Sequence, residues 1–281
     1  MRAKIPAAKD QSRIVSRTSL FEEASHLCSI LSDPSILVVD CRSFAEYSQS
    51  HILHAVNIDL MQFHWIDTSA SGIRGFNAQA IRLLSNLGVS DGKKVIFYDN
   101  ISGSAAARGV WLLLYFSHQN VSILDGGFDR WKKLGYPVER TTNPFKPARF
   151  RGRPDRRLLT TKADLTRIIK DKTGVVIDAR SALEYSGKVV RAARAGHIPG
   201  ALNIEWTRNL SGGSFKHLDK LGRLYSAIPK NTRVVTYCQG GYRAANSFVA
   251  LREMGYRDVS MYLGSWGEWG NELNLPTSGG A

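Results

Sequence analysis

The stretch VVTYCQGGYRAANSFVAL, Val234 to Leu251, holds one of the chain's three cysteines at a change of character. Before Cys238, the residues Val234, Val235, Thr236 and Tyr237 are β-branched or aromatic, as in a short buried strand. After it come Gly240, Gly241 and Arg243, then Ala244, Ala245, Phe248, Val249 and Leu251 at the spacing of an amphipathic helix. A strand-to-helix junction leaves the first helical N–H groups without partners and turns the positive end of the helix dipole toward the loop. A thiol placed there is favoured as the thiolate, the form that attacks. The glycines permit positive φ, so that N–H groups can converge on one atom. Arg243 adds a permanent charge and a planar fork for an oxyanion. Cys238, Gln239, Gly240, Gly241, Tyr242 and Arg243 together read as a cradle for a charged sulfur. The alternative is a buried cysteine that merely closes a strand; the coincidence of strand, cysteine, glycine pair, arginine and helix favours the nucleophile.

The elements that position this loop occur twice. LVVDCRSFAEYSQSHILHAVNI (Leu37 to Ile58) matches VVIDARSALEYSGKVVRAARAGHIPGALNI (Val175 to Ile204), the second copy carrying an eight-residue insertion around KVVRAARA. VIFYDN (Val95 to Asn100) matches VVTYCQ, and LDGGFDRW (Leu124 to Trp131) matches LGSWGEW (Leu263 to Trp269). The offsets are nearly constant: 178 − 40 = 138, 238 − 99 = 139 and 269 − 131 = 138. Two homologous domains in tandem follow, at 14–139 and 159–277, with a linker at 140–158. Strands alternating with helical segments predict an α/β fold, each domain a mainly parallel sheet flanked by helices. Ligands gather at the carboxyl ends of such strands, where Cys238 stands.

Asp99 takes the place of Cys238 in the first copy, and NISGSAAAR lacks the adjacent glycine pair. A carboxylate cannot do thiolate chemistry, so the first domain is expected to be catalytically inactive and to cover the second domain's site. Asp178 and Arg180 end a strand and read as a supporting salt bridge, the Arg180 fork being able to face loop carbonyls or a donor. His197 reads as a turn anchor, since a thiolate made by the loop needs no general base. Trp269, with its counterpart Trp131, reads as packing; Trp266 replaces Phe128 and reads as core or as pocket wall.

Over 281 residues the formal net charge is +14. The basic residues are dispersed except in FKPARFRGRPDRR (Phe145 to Arg157), which reads as a solvated linker. No nucleic-acid motif accompanies them, so small anions are the expected beneficiaries of the charge. Cys28, Cys41 and Cys238 have no spacing for a disulfide framework or a CxxC metal site, which points to a reducing compartment, the cytoplasm. The basic start MRAKIPAAKDQSR has no apolar segment behind it and reads as a short tail. No run approaches the roughly 18 to 20 apolar residues of a membrane span. No metal or cofactor is indicated.

With CQGGYR, DCRSFAEY, DARSALEY and GHIPGALNI assembled, the sequence resembles the two-domain rhodanese family, sulfurtransferases with an inactive first domain and an active second one. The resemblance implies double displacement: Cys238 takes the outer sulfur of thiosulfate, holds it as a persulfide, and yields it to cyanide or another thiophilic acceptor. It implies that the N–H groups from Gln239 to Arg243 stabilise the persulfide and that Arg243 holds the donor's sulfonate. Mercaptopyruvate enzymes of the family typically carry CGSGVTA in the loop, and vertebrate-type thiosulfate enzymes carry CRKGVTA. CQGGYRA, with Glu184 where those enzymes usually carry a substrate-binding arginine, points to thiosulfate. The alternatives are a 3-mercaptopyruvate sulfurtransferase and a non-enzymatic rhodanese-type binding module. A phosphatase or arsenate reductase needs five residues between Cys and Arg to wrap a tetrahedral oxyanion; here there are four.

Overall fold

The computed structural model describes residues 19–279; the expected domain start at 14 and the basic tail lie outside them. In the first half, five strands stand in the order Phe21–Glu22, Val121–Leu124, Lys94–Tyr98, Ile36–Asp40, Val56–Asn57. In the second half the order is Leu159–Thr160, Val259–Tyr262, Val234–Tyr237, Val175–Asp178, Leu202–Asn203. Every pairing within both sheets is parallel. The central strand Val234–Tyr237 is buried at every position, as a strand covered by helices on both faces must be. Register sets the floor of the site: Tyr237 lies beside Asp178, and Asp178 beside Asn203. The first sheet repeats this with Tyr98, Asp40 and Asn57.

The two halves share one core. The helix Ser104–Tyr115 of the first packs on the helix Tyr242–Glu253 of the second, and Ala105, Ala106, Ala244 and Ala245 lie in a common cluster with Phe76, Trp111, Phe248 and Met261. Small residues at that crossing let the two backbones approach. Polar ties flank it: Asn246 Nδ2 donates to the Ser102 carbonyl at 2.8 Å, the Tyr242 hydroxyl donates to the Leu60 carbonyl at 3.0 Å, and Thr68 Oγ1 donates to Glu268 at 2.6 Å.

The stretch 145–157, expected as a solvated linker, keeps its charges in water as expected but is pinned in place. It forms a strap along the first domain, where Ala148 N–H donates to the Ser85 carbonyl, Arg153 N–H to the Phe116 carbonyl and the Trp111 indole to the Leu158 carbonyl. The anchor is Phe150, buried among apolar neighbours, while Arg149, Arg151, Arg153, Arg156 and Arg157 stay in water. One aromatic ring inside the charge run outweighs the run, because the charges lose nothing by remaining exposed. The insertion after Gly187 is likewise pinned: the Arg194 guanidinium donates to the carbonyls of Trp269, Glu272 and Leu275. Among the described residues no helix is long and apolar enough to cross a membrane.

Candidate active site

Cys238 follows directly on its strand and is almost wholly buried, 1% exposed. Gly241, with φ of +88°, turns the chain into the helix Tyr242–Glu253, and its N–H donates to the Cys238 sulfur at 3.1 Å. The cysteine's own N–H donates to Ser265 Oγ at 3.2 Å, and its carbonyl accepts from Trp266 N–H at 2.9 Å. Ser265 holds φ at +52°, a left-handed conformation that costs a non-glycine residue about 1 kcal/mol or more. Its counterpart in the first domain is Gly127, at φ +57°. The strained serine is therefore specific to the cysteine-bearing half, where its oxygen has a partner.

Asp178 and Arg180 form the floor. Arg180 donates to Asp178 through Nε and Nη2 and to the Gly196 carbonyl at 2.8 Å, and its guanidinium carbon lies 4.5 Å from the centre of a Trp266 ring. The Tyr237 hydroxyl donates to Asp178 at 2.5 Å. Burial, with the Asp178 charge, pushes that phenol well above its usual range. Asp40, Arg42 and Tyr98 repeat the arrangement. The floor is a structural device of both halves, and Trp266, 1% exposed, belongs to it rather than to an open pocket wall. His197 anchors its turn, with Nδ1 on the Tyr185 carbonyl and its ring stacked on Tyr185, as His51 does on Tyr47.

The loop residues divide. Among the N–H groups from Gln239 to Arg243, that of Gly241 reaches the sulfur. Gln239 Nε2 donates to the Arg191 carbonyl in the insertion, which brings that segment to the site's rim. The Tyr242 side chain faces the first domain rather than a donor. Arg243 does not offer an open fork: Nη1 and Nη2 donate to the two oxygens of Glu184 at 2.6 and 2.9 Å. Glu184 is placed for this by the first turn of its helix, where it closes a capping box with Ser181. Burial would raise the Glu184 carboxyl, but the hydrogen bonds and charge of Arg243, aided by Ser181, outweigh it and hold the group at about 2.

In the first domain, the carboxylate of Asp99 sits in the equivalent seat. It accepts N–H bonds from Gly103 at 2.9 Å, Ala105 at 3.1 Å and Ala106 at 3.2 Å, at the start of the helix Ser104–Tyr115. A glycine pair is therefore not needed to aim N–H groups at one point, contrary to the sequence expectation. A cavity of about 370 Å³ beside it is lined by Cys41, Arg42, Asp59 and, from the other domain, Trp206.

Three contributors escaped the sequence reading. Ser265 could have been found from its Ser-for-Gly exchange within the repeat. His64 packs over Gly240, where a Cβ would collide with its ring, and Arg108 lies beneath Gly241. Both come from the first domain, and nothing in the local sequence ties them to Cys238.

The rhodanese-like domain family matches the chain twice, over residues 23–134 and 161–272. The chain is similar to a thiosulfate sulfurtransferase of Pseudomonas aeruginosa, 30% identical over 275 residues that cover 94% of this chain and 98% of that protein. It is similar to a probable 3-mercaptopyruvate sulfurtransferase of the same bacterium, 32% identical over 279 residues that cover 92% and 97%. Among solved structures it resembles SseA from Escherichia coli, a 3-mercaptopyruvate sulfotransferase with the rhodanese fold, with a TM-score of 0.76 and 27% identity over 89% of this chain and 99% of that one. Relatives named for the two donors thus stand at similar distance, and what they share is the transfer of sulfur. The chain belongs to the rhodanese-like family and is a sulfurtransferase of the rhodanese kind.

Proposed function

We propose that the protein is a thiosulfate sulfurtransferase in which Cys238 alone carries the sulfur, the first domain being catalytically inactive. The observation that carries this reading is the Gly241 N–H on the Cys238 sulfur at the N-terminus of a twelve-residue helix. The Cys238 thiolate attacks the outer sulfur of thiosulfate; the S–S bond of the donor breaks and sulfite leaves with the electron pair. The persulfide anion then occupies the cradle that held the thiolate. Cyanide, or another thiophile, attacks the terminal sulfur, thiocyanate or its analogue departs, and the thiolate returns. No proton need move in either step, which fits a site where, among the described residues, no general base is bonded to the sulfur. Asp178 and Arg180 support the loop from below.

Donor choice rests on Glu184. Its carboxylate fills the Arg243 fork, so a donor gripped by its carboxylate finds no open guanidinium there. Thiosulfate presents its outer sulfur to the thiolate without that grip. The test is kcat/KM for thiosulfate and for mercaptopyruvate on the same preparation with cyanide as acceptor. Thiosulfate is expected to be the better donor by about tenfold or more, equivalent to about 1.4 kcal/mol in the transition state. A ratio in favour of mercaptopyruvate overturns the donor assignment.

A further inference from the structure

Arg108 stands on the helix Ser104–Tyr115 of the first domain and is 1% exposed. A guanidinium keeps its charge at neutral pH, so burying it is costly unless a carboxylate or a set of carbonyls answers it. Here neither does. Nη1 reaches the Met261 sulfur at 3.8 Å, while Nε and Nη2 have no hydrogen-bond partner among the described residues. Its other neighbours are rings: the guanidinium carbon lies 4.5 Å from Trp111, 5.5 Å from Tyr242 and 5.9 Å from Phe76. Ring faces attract a cation but do not replace a counter-charge. Burial pushes Arg108 down to about 10, while Tyr242 and Cys238 favour its charged form, and it stays cationic at neutral pH.

Its position relative to the sulfur is specific. A Cβ on Gly241 would lie 2.8 Å from Arg108 Nη1, and Gly241 is the residue whose N–H holds the Cys238 sulfur. The groups around Cys238 are Tyr242 and Arg243 on its own helix, Ser265 on the following turn, and His64 over Gly240 from the first domain. Beneath the loop and beside it stand Asp178, Arg180 and Glu184. Among the cations in this set, Arg243 is matched by Glu184 and Arg180 by Asp178. Arg108 is the one with no carboxylate within 4 Å among the described residues.

The pseudo-symmetry of the chain sharpens the point. The counterpart of Arg108 is Asn246, since 246 − 108 = 138, the offset that relates Trp131 to Trp269. Asn246 crosses the interface in the opposite sense and donates to the Ser102 carbonyl in the Asp99 loop. Below the loop that carries its own carboxylate the fold sets a neutral amide. Below the loop that carries the cysteine it sets an unanswered cation.

We propose that Arg108 is the counter-charge of the sulfur on Cys238, a positioning residue through which the first domain holds the thiolate and the persulfide as anions. The proposal rests on the reading of Cys238 as the sulfur carrier. It gives the unarmed domain an electrostatic part in the reaction, without any contact between Arg108 and the donor.

The test is the rate of alkylation of Cys238 by iodoacetamide as a function of pH, followed by peptide mass, in wild type and in Arg108→Met, which keeps the volume and removes the charge. Urea unfolding and circular dichroism establish that the variant is folded. The pH midpoint is expected to rise by about one unit, with alkylation about tenfold slower below the midpoint. A purely structural role leaves the midpoint where it is, and a folded variant whose profile superposes on wild type overturns the proposal. Should Arg108→Met fail to fold, Arg108→Lys takes its place: the shorter cation withdraws from Gly241, the midpoint rises by less, and an unmoved midpoint again overturns the proposal. Sulfur loading of the wild type by thiosulfate is measured alongside. Its failure removes the reading of Cys238, whereas normal loading with an unmoved Arg108 profile removes only the counter-charge.

Discussion

At the scale of single residues, the site consists of charges that are nearly all answered. Arg243 and Glu184 illustrate the cost of breaking one such pair. With Glu184 almost wholly buried and Arg243 mostly so, removing the cation leaves a carboxylate in low dielectric with Ser181 and the longer, exposed contact of Arg191 Nε at 3.7 Å as its remaining partners. Arg243→Ala is therefore expected to lower stability by about 3 kcal/mol, and Glu184→Ala added to it should cost less than the sum of the two single changes. Urea unfolding of the four proteins measures this; strict additivity would mean that the pair does not act as a unit. The pH window follows from Glu184, whose carboxyl is held below its unfolded value: its contribution is present above pH ~4.5 and is lost as the pH falls through about 2. The residue types in CQGGYR were enough to place Cys238 at a helix start with a backbone N–H on its sulfur, because that geometry is a local property. What Arg243 does was not legible, since its partner lies 59 positions away and only the folded sheet brings the two together.

At the scale of elements, each half carries one anion seat at the start of one helix, and the occupants differ. Asp99 is pressed in opposite directions: burial raises its carboxyl, the N–H groups of Ala106, Gly103, Ala105 and Ile101 lower it, and burial wins, leaving it at about 6. A folded value above the unfolded one means that the fold prefers the neutral acid. Its contribution is complete below pH ~4 and is lost as the pH rises through about 6, a change of roughly 2 to 3 kcal/mol. Asp99→Asn lacks that titration. The difference in unfolding free energy between wild type and Asp99→Asn, measured by urea from pH 4 to 7.5, should change by that amount in the sense that wild type loses relative stability on the alkaline side. A difference independent of pH would show that Asp99 titrates alike in folded and unfolded chains. The strands and helices around both seats were legible from hydrophobic periodicity and the repeat. The path of the linker was not legible, because composition counts its arginines and prolines, which do stay in water, and overlooks the single ring, Phe150, that decides where it lies.

At the scale of the whole molecule, the duplication leaves two unlike halves. One carries Cys238, the proposed nucleophile, and the other closes over it with His64, Arg108 and the Thr68–Glu268 tie. The tandem arrangement was visible in the constant offsets, but the traffic across the interface was not, since a repeat shows what corresponds and not what touches. Cys41 shows the consequence of that division. Burial first, then the charges of Asp99, Asp40 and Asp59, push its thiol well above the ordinary range, so it stays neutral beside the Asp99 seat. Sulfur should therefore enter the chain at one place. The measurement is intact mass after incubation with thiosulfate and removal of excess donor, on wild type, Cys238→Ser, and the Cys28→Ser/Cys41→Ser double variant. One added sulfur is expected in wild type and in the double variant, none in Cys238→Ser, and loss of the added sulfur on treatment with cyanide. A sulfur retained by Cys238→Ser, or two sulfurs on the wild-type chain, would contradict this.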